Sequence, residues 1–116
     1  MKLNEYQQEA LKTAVYPREY STVYPALGMN GEAGEVADKV KKIIRDTEYV
    51  RNEKGEIVLP DDKRENLALE VGDVLWYCAN LANDIGYTLD TIAEMNYAKL
   101  KSRQERNKLT GSGDNR

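Results

Sequence analysis

The sequence predicts a mainly α-helical protein, a bundle of four to five helices with one short β-hairpin between the second and third helices. Apolar residues recur at helical spacing in four segments, and only TEYVRNEKGEIVLP, residues 47–60, alternates apolar and polar side chains. No repeat of solenoid length is present, and 116 residues suffice for one core. We assign residues 1–108 to a single domain and the glycine-rich residues 109–116 to a flexible tail.

The first helix is expected near the start of the chain. Asn4 and Gln7 have the spacing of a capping box, and the helical pattern continues to about Val15. The next segment, YPREYSTVYP at residues 16–25, contains two prolines and is typical of a connector.

The second helix and the hairpin follow this connector. Pro25 suits a first helical turn, so a helix is expected from there, or from the next residue, to about Arg45. Asn52 to Gly55 then has the composition of a hairpin turn.

The last two helices are bounded by capping signals. Asp62 and Glu65 form a second candidate capping box, which opens a third helix that Gly86 should end. Thr88 is expected to cap a fourth helix that continues to about Lys108.

Composition excludes several classes of function. With 17 basic and 20 acidic residues the net charge is -3, so nucleic acid is not expected as the main partner. No segment has the length and apolarity to span a membrane, and a lone cysteine, Cys78, fits a reducing, cytoplasmic location. Histidine is absent, so any catalysis must depend on carboxylates, amines, hydroxyls or bound ions.

Two similar acidic motifs, EAGE at residues 32–35 and EVGD at residues 70–73, lie in the second and third helices. At about 100° per residue, Glu32 borders the apolar stripe of its helix, Glu35 lies about 60° further out, and Lys39 falls between them. Glu70 and Asp73 border their own stripe in the same way. The stripes comprise Met29, Val36, Val40, Ile43 and Ile44 on one helix and Leu67, Val71, Val74, Leu75, Cys78, Leu81 and Ile85 on the other.

If both stripes face one core, the four carboxylates converge along a seam between the helices. Their mutual repulsion then requires a neutralising cation, and hard ions such as Mg²⁺, with Mn²⁺ as a substitute, prefer oxygen ligands. Iron sites in helical bundles use Glu-x-x-His motifs, which this chain lacks. The alternative is that each pair is a solvated helix edge with local ion pairs to Lys39, Lys41 or Lys42. The matched placement of the two pairs favours a shared metal site.

Gly34 and Gly72 separate the acids of each motif. A glycine inside a helix costs about 1 kcal/mol relative to alanine, and both glycines fall on the face opposite the apolar stripe. We therefore expect close packing behind the acids, either within the chain or across a subunit interface.

The ordered motifs EAGE, LALEVGDVLWY at residues 67–77 and NYAKLKSR at residues 96–103 resemble the MazG-like branch of the all-α nucleoside triphosphate pyrophosphohydrolases. The likeness covers residues 27–103. It implies hydrolysis of a ribo- or deoxyribonucleoside triphosphate to the monophosphate and pyrophosphate by attack of metal-activated water. It also implies that the four acids hold Mg²⁺ and that the chain forms a homodimer or homotetramer.

The resemblance also suggests roles for individual residues. Glu32 and Glu35 are the candidate catalytic bases, with Glu35 preferred for orienting the attacking water. Asn96, Lys99 and Arg103 are candidate contacts for sugar and phosphates. The structural alternatives are a buried amide that hydrogen-bonds a neighbouring helix for Asn96, and an ordinary solvated face for the two cations.

Tyr77 and Lys39 complete the predicted substrate site. Tyr77 lies one turn beyond Asp73 and could stack on the base, whereas Trp76 points elsewhere, toward the core or an interface. Tyr16, Tyr20 and Tyr24 in the connector are further candidates for base stacking. The tail could fold over the site and offer Arg116 to phosphate, with plain disorder as the alternative.

Two other functions share many of these features. A non-catalytic nucleotide-sensing or protein-interaction module would keep the helices, but intact acids at all four motif positions favour an enzyme. Hydrolysis of a different pyrophosphate-containing substrate would use the same residues.

Overall fold

The computed structural model describes all 116 residues, and it has the mainly helical architecture that the sequence predicts. Four helices are accompanied by one 3₁₀ turn and a two-stranded antiparallel hairpin between the second and third helices. The elements are α1 Leu3–Leu11, the 3₁₀ turn Arg18–Tyr20, α2 Val23–Arg45, β1 Val50–Arg51, β2 Ile57–Val58, α3 Asp61–Asp84 and α4 Leu89–Glu105.

The long helices α2 and α3 form an antiparallel pair. The backbone N–H of Thr22, at the start of α2, donates to Asp84 at the end of α3. Further along the pair, Met29 contacts Cys78, and Lys39 forms an ion pair with Glu70. Helix α1 packs on α3, and α4 packs on both α1 and α3. The two acidic motifs therefore lie on the pair of helices with the most extensive mutual packing.

The fully buried core is small and lies where α1, α3 and α4 meet. It consists of Ala10, Ala79, Ala82 and Leu89, with Tyr6, Trp76 and Cys78 packed against it. The condition that both apolar stripes face one core is met only in part within a single chain. Ile43 is buried, but five of the other stripe residues are exposed, because α2 and α3 cover only one side of each other. The exposed members are Val40, Ile44, Val71, Leu75 and Ile85.

The predicted capping box at Asn4 and Gln7 is wrong. Helix α1 follows Lys2, whose backbone N–H donates to Glu5 Oε2 at 3.0 Å, and it ends at Leu11, earlier than expected. Both polar residues instead serve the tertiary fold.

Gln7 is buried against the turn between α3 and α4. Its Nε2 donates to the carbonyl oxygens of Ala79 at 3.2 Å and Tyr87 at 3.1 Å, and its Oε1 accepts from the N–H of Leu89 at 3.0 Å. The side-chain Oδ1 of Asn4 accepts from the backbone N–H of Asp90 at 3.0 Å. These bonds satisfy buried backbone groups and attach α1 to the start of α4.

The other helix ends follow the sequence in part. Helix α3 begins directly after Pro60 without a side-chain cap, so the proposed Asp62 and Glu65 capping box is wrong and Asp62 lies inside the first turn. Gly86 follows the end of α3 with a φ of +85° that favours glycine. Thr88 Oγ1 accepts from the backbone N–H three residues on, as predicted.

The isolated chain leaves much of its surface unburied. Its radius of gyration is 17.5 Å, whereas a compact chain of this length has about 13 Å. Only 10 of 116 residues are buried, and large apolar side chains are exposed on α2, α3 and α4. None of the helices combines the length and apolarity needed to cross a bilayer.

The last residues fold back on α4, which ends three residues before the predicted Lys108. Arg106 donates to the backbone oxygen of Arg116 at 2.7 Å, and Arg116 donates to the carbonyl oxygen of Gly113 at 2.7 Å. A single domain over residues 1–108 and a flexible tail over 109–116 stay predictions.

Candidate active site

The two acidic motifs meet across the α2 and α3 pair. Carboxylate oxygens of Glu32, Glu70 and Asp73 lie within 4.8 Å of one another. Glu35, the fourth predicted acid, is exposed and lies outside this group. Helical spacing does not account for this difference, because Asp73 has the same angular offset from Glu70 as Glu35 has from Glu32.

The acidic cluster is short of positive charge. Partial burial, followed by the charges of Asp73, Glu70 and Glu35, raises the pKa of the Glu32 carboxyl above its ordinary value. The cation in contact is Lys39, whose Nζ lies 2.7 Å from Glu70. One ammonium does not balance three carboxylates, so the cluster could hold a further cation.

The donor set fits a hard divalent ion. Hard divalent ions prefer oxygen ligands, and all three residues offer carboxylate oxygens within 4.8 Å of one another. Glu32 and Glu70 are partly buried and Asp73 is exposed, which leaves one side of the cluster open to a ligand.

Tyr77 lies beside this cluster, with its ring against the backbone of Gly28. A Cβ atom at Gly28 would overlap that ring, so this glycine is required for the approach of α3 to α2. Burial, then Tyr24 and the charge of Glu32, raises the pKa of Tyr77. The Tyr24 ring lies 6.4 Å from Tyr77 and is tilted by 41°.

The other aromatic candidates have structural contacts. Trp76 packs against the core and donates to Thr13 Oγ1 at 2.7 Å. Tyr16 stacks on Tyr24 with ring centroids 4.8 Å apart, and Tyr20 is exposed. Tyr24 therefore links the connector to Tyr77.

The glycines of the acidic motifs do not pack closely within the chain. Nothing lies within 4 Å of a Cβ position at Gly34 or Gly72, so the expected intrachain contact is wrong. Gly28, which does have such a contact, lies outside both acidic motifs, so motif spacing gives no signal for it.

Asn96 and Lys99 lie together on α4, in an open groove of about 430 Å³. Asn96 is exposed, so it is not a buried amide in the single chain. No hydrogen bond or ion pair joins either residue to Glu32, Glu70 or Asp73. The groove is lined by Ile85, Tyr87, Ile92, Met95, Asn96 and Lys99.

Two predicted phosphate contacts hold the tail instead. Arg103 is 5% exposed and donates to the carbonyl oxygens of Gly113 at 3.3 Å and Asp114 at 2.9 Å. Lys99 Nζ lies 3.1 Å from the Asp114 carboxylate. Arg116 donates to carbonyl oxygens within the tail, so its guanidinium also makes intramolecular bonds. Sequence spacing contained no signal for this arrangement.

The sequence of residues 22–107 matches the family described as the MazG nucleotide pyrophosphohydrolase domain. The chain belongs to this MazG family. It is therefore a nucleotide pyrophosphohydrolase, an enzyme that hydrolyses phosphoric anhydride bonds, as the ordered motifs predicted. The MazG match includes both acidic motifs and the NYAKLKSR segment.

A curated relative matches over the full extent of the chain. The "Gene 37 protein" of Mycobacterium phage L5 is 41% identical over 122 residues, which span all of both chains. No solved structure matches this MazG chain.

Proposed function

We propose that this enzyme is a Mg²⁺-dependent pyrophosphohydrolase that converts ribo- or deoxyribonucleoside triphosphates to monophosphates and pyrophosphate. The observation that carries the proposal is the convergence of Glu32, Glu70 and Asp73 within 4.8 Å. Their arrangement beside an aromatic ring supports a site for a nucleotide as well as an ion.

Glu32, Glu70 and Asp73 would hold the ion, with Mn²⁺ as a substitute of the same ligand preference. When bound, Mg²⁺ supplies charge neutralisation for the phosphate oxygens and favours ionisation of water. The partly buried positions of Glu32 and Glu70 fix two carboxylates, while Asp73 faces solvent.

Glu35 is the preferred base for the attacking water. It lies one helical turn from Glu32 but outside the group of three acids, so its carboxylate is free to accept a proton. Glu32 is the other candidate, because it lies within the group of acids that would hold the ion.

Substrate contacts are proposed on both sides of the acids. Tyr77 offers an aromatic face for the base, and Lys39 offers an ammonium directly beside Glu70. Asn96 and Lys99 contribute an amide and a cation from the α4 groove. Arg103 donates hydrogen bonds to the tail, so its effect on substrate binding would be indirect, through the position of the tail.

We further propose that the working enzyme is a homo-oligomer of two or four chains in the cytoplasm. The exposed apolar side chains on α2, α3 and α4 provide a surface that a second copy would cover. A cytoplasmic location rests on the single cysteine, Cys78, which is half-buried and unpaired.

Product analysis tests the reaction. The protein is incubated with Mg²⁺ and a panel of ordinary and modified triphosphates, and the products are separated by ion-exchange chromatography. We expect monophosphate and pyrophosphate in equal amounts. Diphosphate with orthophosphate, or no turnover of any triphosphate, would contradict the proposal.

A further inference from the structure

The tail places a carboxylate on one of the proposed phosphate contacts. Asp114 Oδ1 lies 3.1 Å from Lys99 Nζ and 3.5 Å from Arg103. Because of these contacts, first of all the hydrogen bond from Lys99, the pKa of Asp114 lies below its ordinary value. The Lys99 ammonium is therefore already paired with a carboxylate of the same chain.

Arg103 holds the tail by its backbone rather than by this carboxylate. Its guanidinium donates to the carbonyl oxygens of Gly113 and Asp114 at 3.3 and 2.9 Å, and its side chain is only 6% exposed. The Asp114 side chain is 84% exposed. The carboxylate can thus swing away from Lys99 while the backbone bonds of the tail stay in place.

Lys99 also lines the open α4 groove together with Asn96. The Lys99 side chain is 37% exposed and so is accessible to an anion that enters the groove. A phosphate chain and the Asp114 carboxylate would compete for the same three N–H donors.

We propose that Asp114 is an affinity-setting residue, an internal carboxylate that competes with the phosphate chain of a bound ligand for Lys99. The inference rests on the proposed function, because it assigns Lys99 to a phosphate chain. Asp114 thereby weakens the binding of polyphosphate ligands, including the pyrophosphate product. Tethering by Arg103 keeps the competing carboxylate at high local concentration.

The expected size follows from the exposure of the pair. Exposed ion pairs shift an equilibrium by only a small factor, so removing the competitor should tighten polyphosphate binding about two- to fivefold. The probe is inorganic tripolyphosphate with Mg²⁺, and the measurement is isothermal titration calorimetry on the full chain.

Asp114→Asn should lower the Kd for tripolyphosphate about two- to fivefold relative to wild type. Glu94→Gln removes a negative charge from an exposed position on α4 and should leave that Kd unchanged. In a Lys99→Met background, Asp114→Asn should produce no gain, because the contested ammonium is absent.

Three results would overturn the inference. These are an unchanged or higher Kd in Asp114→Asn, an equal gain in the Lys99→Met background, and no binding of tripolyphosphate by Asp114→Asn. Since binding is measured without turnover, failure of the proposed reaction on nucleotides would be seen separately in the product analysis.

Discussion

Asp73 is the acid of the cluster whose role can be tested most cleanly. It makes no ion pair, whereas Glu70 also holds Lys39. Replacing Asp73 with asparagine removes a negative charge and one of the two carboxylate oxygens, and it also relieves the repulsion that raises the pKa of Glu32. We expect Mg²⁺ affinity to fall by at least about tenfold, with thermal stability of the metal-free protein unchanged or slightly higher. Calorimetric Mg²⁺ titration and thermal unfolding measure the two effects.

Glu35→Gln provides the contrast to that variant. Because Glu35 lies outside the group of three acids, the variant should retain Mg²⁺ affinity. Its turnover should fall by about 10²- to 10⁴-fold, the usual contribution of a general base. Glu94→Gln is the charge-matched control. If the Asp73→Asn variant binds Mg²⁺ as tightly as wild type, Asp73 is not a ligand of the metal.

At the residue scale the sequence located the acids but not their supports. Helical angles placed four acids, Glu32, Glu35, Glu70 and Asp73, along one seam, and the structure brings together all of them except Glu35. The packing of Gly28 against Tyr77 and the bonds from Arg103 to the tail could not be found in this way, because each depends on a contact outside its own helix.

At the scale of elements, Asp84 attaches the connector to the end of α3. Its carboxylate accepts from Tyr16 Oη at 2.7 Å, from Arg18 at 2.8 Å and from the Thr22 N–H at 2.9 Å. Asp84→Ala removes all three bonds from a fully buried side chain. The free energy of unfolding should fall by about 2–3 kcal/mol, as measured by urea denaturation. Glu19→Ala, at an exposed connector position, should change it by less than about 0.5 kcal/mol.

The pH dependence of that difference identifies its cause. Burial alone would raise the pKa of Asp84, but the hydrogen bonds from Thr22, Arg18 and Tyr16 outweigh it and lower the pKa to about 2. The stabilisation is thus complete above the ordinary value of 3.8 and is lost as pH falls through about 2. The difference in the free energy of unfolding between wild type and Asp84→Ala should therefore be constant around neutral pH and should disappear near pH 2. A difference that persists unchanged to that pH would exclude the charged carboxylate as its source.

Element positions were easier to predict than their caps. The end of α2 at Arg45, the turn at Gly86 and the Thr88 cap follow from local backbone preferences, and the structure confirms them. The Asn4 and Gln7 prediction failed because tertiary hydrogen bonds to the start of α4 use both side chains. A capping pattern in sequence does not distinguish a local partner from a distant one.

For the whole molecule, the exposed area favours an oligomer. The chain exposes 8521 Å², whereas a monomer of this mass exposes about 6,400 Å². The excess of about 2,100 Å² per chain is of the size buried in obligate dimers. Light scattering after size exclusion should therefore give two or four times the chain mass of 13.2 kDa. A mass of one chain at every concentration would contradict the proposed assembly.

Helical periodicity predicted the fold class correctly, but it also led to a wrong expectation for the core. Periodicity shows which residues avoid water, but it does not show whether a helix of the same chain or of another chain covers them. Val71 and Leu75 satisfy the helical pattern and are exposed in the single chain. Their burial is a property of the assembly that we propose.

The most direct measurement is product analysis with a nucleoside triphosphate, with Mg²⁺ present and after its removal by a chelator. We expect monophosphate and pyrophosphate with Mg²⁺, near-complete loss of turnover with chelator, and recovery when Mg²⁺ is restored. Diphosphate with orthophosphate, or turnover that is unaffected by chelation, would contradict it.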